Sequence, residues 1–302
     1  MRVLGRRGFT LVELMIAIVL LAIFSGGLYQ VLLNNQRAFT AQTQRIDLQQ
    51  NIRAAATILP GEFRELDTPD SDISYMDSVT ITIRAMRQLA FMCQAPVLGG
   101  GLGNISFTVR AAPFFGDRQY FQVNDSLLIF YEGNPQTRSD DQWVRGQVKG
   151  VANLACPDGK AGNSITMAPQ WVSGGLNVAG AITNGSPVRG FTTLTYKLWQ
   201  SGTDNQYYLA QQVGGGTPQP LVGPLSGANG LTFSYYDSTG TTLTTSPEHV
   251  ALIGVKLRAR TSQVVRQAND AALAYKYDSV TIQVAVRNNP RCGTGSMPFV
   301  AC

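Results

Sequence analysis

The stretch Arg6-Arg7-Gly8-Phe9-Thr10-Leu11-Val12-Glu13-Leu14 decides how this chain is read. It opens a run over 9–33 in which 19 of 25 residues are apolar and Glu13 is the only charge. As a helix, that run is long enough to cross a bilayer. An ionisable group in such a segment costs about 2.5–3.5 kcal/mol near its centre and less near an end, so Glu13 is a functional candidate. Arg2, Arg6 and Arg7 precede the run, and the first basic residue after it is Arg37. This asymmetry predicts a cytoplasmic arginine-rich end and export of everything beyond the run.

A basic start and an apolar core also fit a plain signal anchor. A cleaved secretory signal fits less well, because the small residues Ser25-Gly26-Gly27 lie inside the run and not after it. The string Gly8-Phe9-Thr10-Leu11-Val12-Glu13-Leu14-Met15-Ile16-Ala17 resembles the class III signal of type IV pilins and type II secretion pseudopilins. The resemblance implies that a prepilin peptidase cuts between Gly8 and Phe9 and methylates the new N-terminal Phe9. It also implies that Glu13 meets the N-terminal amine of a neighbouring subunit and sets the stagger of a fibre. The chemistry is coherent. Phe9 and Glu13 are four apart and share a helix face, and a carboxylate in apolar surroundings is better tolerated beside an amine than alone.

Composition supports an exported, β-rich domain. Of 302 residues only 14% are charged, against about 25% in ordinary soluble domains, while 44% are apolar, enough to build a core. Removing residues 1–8 leaves 21 basic and 19 acidic residues, so the net charge falls from +5 to +2. Global charge therefore gives no argument for nucleic-acid binding. The four cysteines allow three disulfide connectivities. We expect Cys292–Cys302 to close a local C-terminal loop and Cys93–Cys156 to staple two loops. With no C-x-x-C and a single histidine, a metal site is not expected.

Leu48, Ile52, Ala55 and Leu59 are spaced as one helix face, which predicts one long helix from Phe9 to about Leu59, ended by Pro60-Gly61. Gly26-Gly27 leaves two readings open, a kink or a close helix contact. Beyond Thr68 the pattern turns to strands. They are expected at 79–83, 105–109, 127–131, 143–154, 191–199, 207–213, 231–236, 250–260 and 275–287, with turn-rich breaks between. The gaps are too short and glycine-rich for βαβ crossovers, so an antiparallel sheet is expected. The fold class is α+β: a long N-terminal transmembrane helix packed on a large antiparallel β domain.

Two further strings extend the resemblance. Asn51-Ile52-Arg53-Ala54-Ala55 with Glu62-Phe63-Arg64-Glu65-Leu66 is similar to the helix end of the large W-type minor pilins and J-type minor pseudopilins, from which Pro60 departs. Gly230-Leu231-Thr232-Phe233-Ser234-Tyr235-Tyr236-Asp237, then Val255–Arg260, then Val284-Ala285-Val286-Arg287-Asn288, resembles the sheet of the same subunits. The expected organisation is a leader (1–8), a transmembrane half-helix (9–33), an exported helix and linker (34–66) and a β domain (67–302). Within that domain, 67–220 is expected to be an insertion and 221–302 the family sheet.

Other candidates are weak. His249 has no evident triad partners. Leu98-Gly99-Gly100-Gly101-Leu102-Gly103 lacks the spacing and following helix of a phosphate loop. Asp67, Asp70 and Asp72 offer oxygens that calcium takes, but not in the EF-hand pattern. Tyr207-Tyr208 and Tyr235-Tyr236 read as alternating core and surface positions. The function expected is a structural one, with no catalytic residue and no cofactor: a minor pilin or pseudopilin priming or capping a fibre. Its partners would be the prepilin peptidase, other pilins and the inner-membrane assembly platform. The alternative is a fibre-tip binding module, an adhesin or a DNA-uptake receptor, for which Lys256, Arg258 and Arg260 on one strand face would be the basic stripe.

Overall fold

The computed structural model describes residues 10–98, 103–116, 118–132, 136, 142–170, 182–266 and 272–287. A single helix, α1 (Leu11–Arg64), runs for 54 residues, about 81 Å at 1.5 Å per residue. It remains helical through Gly26 and Gly27, and the space where their β-carbons would stand is open. Its buried residues are Leu48, Ile52, Ala55, Leu59 and Phe63, the expected face extended by one turn.

The expected break at Pro60 does not occur: α1 continues to Arg64 with Pro60 inside it. Proline removes one backbone hydrogen bond and costs about 3 kcal/mol in a helix interior. Leu59 and Phe63 flank it on one face and are fully buried. Burying two such side chains is worth about 1.5–3 kcal/mol each, which offsets the loss. The last turn is also held from outside, because the backbone N–H of Arg287 donates to the Arg64 carbonyl at 3.0 Å.

The rest is antiparallel sheet. In chain order the strands are β1 (Ile73–Met76), β2 (Thr80–Leu98), β3 (Ile105–Arg110), β4 (Phe115–Gly116), β5 (Ser126–Tyr131), β6 (Gln142–Asn153), β7 (Gly162–Gln170) and β8 (Pro187–Gln200). Then come β9 (Tyr207–Val213), β10 (Gln219–Val222), β11 (Leu231–Tyr236), β12 (Leu252–Arg260), β13 (Val265–Arg266), β14 (Leu273–Ala274) and β15 (Tyr277–Ala285). Three of them form a small sheet in the order β11-β12-β15.

Two cores result. The first lies between α1, the β11-β12-β15 sheet and the near half of the larger sheet. Phe63 stands at its centre, edge-on to Tyr196 at 5.8 Å and to Phe233 at 6.3 Å. The two sheets are joined where the Phe233 N–H donates to the Ser78 carbonyl and the Tyr235 hydroxyl donates to the Asp77 carbonyl, each near 2.9 Å.

The second core is the inside of a closed barrel. β2 pairs with β3, β3 with β7, β7 with β6, β6 with β5, β5 with β8, and β8 returns to β2. Ala90, Met92, Phe107, Ile129, Val148, Ile165 and Met167 fill it. The long strands β2 and β8 serve both units: Thr80 to Met86 pair with Lys197 to Phe191 beside α1, and the remainder of β2 goes on into the barrel. A register shift between Met86 and Gln88 marks the passage, as bulges do where a strand must bend. At Gly190 a β-carbon would stand 3.0 Å from the Phe121 ring and closer still to Gln88, so Phe121 can cover β8 only because that position has no side chain.

Candidate functional site

Gly8 and Phe9 lie outside the described residues, so the expected cleavage point carries no geometry. Glu13 lies one turn inside α1. Thr10 is the N-cap, in extended conformation, and the pair forms a reciprocal capping box. The Glu13 N–H donates to Thr10 Oγ1 at 3.3 Å, while the Thr10 N–H and hydroxyl both donate to Glu13 Oε2, at 3.0 and 3.1 Å. One carboxylate oxygen is thus held against the backbone. No hydrogen bond to the other is found among the described residues. Sequence reasoning passed over Thr10, although Thr-x-x-Glu ahead of an apolar run is the sequence signature of this cap.

Around Glu13 the helix is bare. Leu11, Met15, Ile18, Leu21, Phe24 and Leu28 are each more than half exposed. This half of α1 is long and apolar enough to cross a membrane. The switch to packing comes near Gln44, whose Oε1 accepts from the Ser262 hydroxyl at 2.7 Å, and is complete at Leu48. One turn on, Asn51 Nδ2 donates to the Gly223 carbonyl at 3.0 Å. One helix thus presents an unsatisfied apolar cylinder at one end and a buried seam at the other.

Cys93 and Cys156 are bonded, with Cα atoms 5.7 Å apart, within the usual range. The bond ties β2 to the β6–β7 turn. Cys292 and Cys302, expected to pair, lie outside the described residues.

The remaining candidates resolve into structure. Asp72 is buried, accepts the Asp67 N–H at 2.8 Å and faces Arg84 Nε at 3.2 Å. Arg84 also donates to the Asp70 carbonyl. These aspartates brace the turn leaving α1, and no group of side chains able to hold a metal ion is found among the described residues. Burial pushes both carboxyls up to about 6; the Asp67 charge adds to this for Asp70, while Arg84 opposes it for both. His249 sits in a short turn, Pro247–His249, with Nε2 buried and without a hydrogen-bond partner among the described residues. Residues 99–102 of the glycine-rich loop lie outside the described residues. Tyr235 is core, and the Tyr208 hydroxyl donates to Asp204 at the surface.

Lys256, Arg258 and Arg260 do share one face of β12, opposite buried Val255, Leu257 and Ala259. The Arg258 guanidinium stands 4.8 Å over the Tyr277 ring and that of Arg260 4.2 Å over Tyr275. The stripe is therefore interleaved with aromatics contributed by β15 and the residues just before it.

A long apolar N-terminal helix packed by its second half on a large antiparallel domain is an α+β, pilin-like architecture. Residues 4–29 match the family model described as the Prokaryotic N-terminal methylation motif. The chain thus carries a prepilin-type signal that takes in the start of its helix, consistent with a type IV pilin-like protein, pilin or pseudopilin. No match to it was found among curated proteins or among solved structures.

Proposed function

We propose that this chain is a minor pilin or pseudopilin, of the kind the W and J types represent. After cleavage between Gly8 and Phe9 and methylation of Phe9, it primes or caps a fibre at the inner membrane. The observation that carries this is the methylation motif over residues 4–29 running directly into a helix whose first half is apolar and uncovered. Exposed apolar surface of that extent needs lipid or other helices around it. The arginine-rich end stays cytoplasmic, and the β domain faces the periplasm. Prepilin peptidase acts on it, and other pilins and the assembly platform are its partners. A β domain with a barrel added to the helix-packed sheet is bulky for a repeating shaft, which favours one or a few copies at a tip. The test is mass spectrometry of the mature N-terminus with localisation in sheared filaments. A methylated Phe9 N-terminus and co-purification at low copy are expected; an intact Met1 N-terminus defeats the assignment. Glu13→Ala should still be cleaved but fail to enter filaments, and entry at wild-type levels would remove the pairing role of Glu13.

The second reading, nucleic-acid capture at the fibre tip, is favoured by the Arg258–Tyr277 and Arg260–Tyr275 stacks on one exposed sheet face. Basic side chains interleaved with aromatics suit a single strand. Gel-shift binding at physiological salt, lost when Lys256, Arg258 and Arg260 all become glutamine, would favour it over a purely structural subunit.

A further inference from the structure

A cleft of about 840 Å³ opens at the end of the barrel where β3 and β6 finish and β7 begins. That size falls in the range of small-molecule sites. Its walls come from the segment joining β3 to β5 and from the paired ends of β6 and β7. Asn153 and Asn163 are register partners across β6 and β7, and both side chains line the cleft together with Gln119, Gln122, Tyr120 and Phe114.

The lining mixes carboxamides with apolar side chains such as Pro113, Phe114, Val123 and Val151. Four carboxamides face the space, and no acidic or basic side chain is among its described lining residues. The nearby charges are spent on each other, Arg118 on Asp125 and Arg110 on Asp158, each at 2.8 Å. Among the described residues no hydrogen bond engages the side chains of Gln119, Asn153 or Asn163, and Gln122 Oε1 accepts from Arg118 at 2.5 Å. Tyr120 is 52% exposed. Phe114 is fixed edge-on against buried Phe121 at 5.0 Å.

The floor is rigid. Val148 and Asp125 tie β6 to the β3–β5 segment through the bonds Asn124 N–H to Val148 carbonyl and Val148 N–H to Asp125 carbonyl, both 2.9 Å. The Cys93–Cys156 bond holds the β6–β7 turn beside them. Asn153 and Asn163 are thus presented side by side from a strand pair whose backbone is tied to its neighbours.

We propose that this barrel mouth binds a neutral oligosaccharide. Each sugar hydroxyl both donates and accepts, which is what a carboxamide offers in return, and the C–H face of a pyranose lies flat on an exposed aromatic ring such as Tyr120. Among the described lining residues a phosphorylated or sulfated ligand would meet no cationic side chain, and the nearby Arg118 is paired with Asp125. Among the described lining residues a metal ion would meet no carboxylate. A wholly apolar ligand would strand the amides unpaired. The site is separate from Glu13, from the apolar half of α1 and from the basic stripe on β12, so it stands or falls apart from the fibre assignment.

The test uses the full-length mature chain in a detergent without a sugar headgroup. It is applied to an array of neutral glucose, galactose, mannose and N-acetylglucosamine oligosaccharides beside sialylated and sulfated glycans and a thymidine oligonucleotide. The best neutral hit is then titrated by calorimetry. Saturable binding is expected, weakened at least tenfold by Tyr120→Ala and by the double variant Asn153→Ala/Asn163→Ala, with unchanged thermal unfolding midpoints. The proposal is overturned if no neutral glycan binds, if both variants bind as wild type does, or if the charged probes bind more tightly and release with salt.

Discussion

The helix-packed core and the barrel core are built from similar buried side chains, yet they exclude water by different means. Around Phe63 two sheets meet a helix, and without α1 the inner faces of β12 and β15 would lie open. In the barrel the strands return on themselves, so no edge is left and no helix is needed. The Cys93–Cys156 bond adds a covalent tie to the self-closing unit only. The unit packed on the anchor helix thus depends on α1, while the unit carrying the cleft buries its own core without α1 and meets it through the shared strands β2 and β8.

The largest effect that separates the two is expected from Phe63→Ala. Phe63 is fully buried and touches both sheets through Tyr196 and Phe233, so truncation should cost about 3–5 kcal/mol. In denaturant melts of the detergent-solubilised chain, the loss should fall on one transition and leave the barrel's own transition in place. Loss of both together would show that the cores fold as one. Next comes Cys93→Ser/Cys156→Ser. The bond closes a loop of 63 residues, and removing such a tie is worth about 4 kcal/mol or slightly more in the chain-entropy view. Here the expected pattern is reversed, with the barrel transition shifted and the helix-packed one unmoved.

Much of the first core is readable in the sequence because its periodicities are clean. Leu48, Ile52, Ala55 and Leu59 are spaced for a helix face, 231–236 alternates as a strand, and both 231–236 and 207–213 have the observed limits. The barrel is harder to read. β2 was expected over 79–83 but runs to Leu98, because register shifts near Arg87, Cys93 and Ala95 move side chains from one face to the other and erase the alternation. β7 was not expected at all: Gly162-Asn163-Ser164 and Pro169 look like turn residues, yet pairing with β3 on one side and β6 on the other makes them strand. Barrel closure is a long-range pairing that no local pattern encodes. Pro60 misled for the complementary reason, since a strong local signal lost to burial of Leu59 and Phe63. At the candidate site, Glu13 was visible as an isolated charge, while Thr10 needed a three-residue spacing to be noticed.

A smaller effect should appear at the turn between α1 and the sheets. Burial raises the Asp70 carboxyl to about 6 from an ordinary value of 3.8, with the Asp67 charge adding to it and Arg84 and Arg189 opposing. A raised carboxyl means that the folded chain holds its proton where the unfolded chain has released it, so this group's contribution to stability falls as pH rises between about 4 and 6. Asp70→Asn has nothing to ionise. Its unfolding midpoint should therefore gain on wild type as pH climbs through that window and hold that gain, without further change, above about 7. A difference curve that is flat from pH 4 to 7 would show that Arg84 already neutralises Asp70 in the fold. The change should sit in the helix-packed transition, next to Asp72 and Arg84.

The smallest effect on global stability, and the sharpest on the division between the two ends of α1, belongs to Thr10. Its side chain caps the helix and, with its own N–H, occupies one oxygen of Glu13. Thr10→Ala should loosen the first turn by about 1 kcal/mol, the usual worth of an N-cap. That turn is exposed and makes no contact with either core, so both denaturant transitions should be unchanged within about 0.5 kcal/mol. Thr10→Ser keeps the hydroxyl and should behave as wild type in every assay. If the cap serves only the helix, the alanine chain will enter filaments normally. If it holds Glu13 in the rotamer that meets a neighbour's amine, filament entry should drop while the β domain's stability does not, which separates positioning of the carboxylate from folding. Amide exchange at Leu11 to Leu14 reports the local loosening directly, and protection equal to wild type there would mean that the capping box contributes nothing to the first turn.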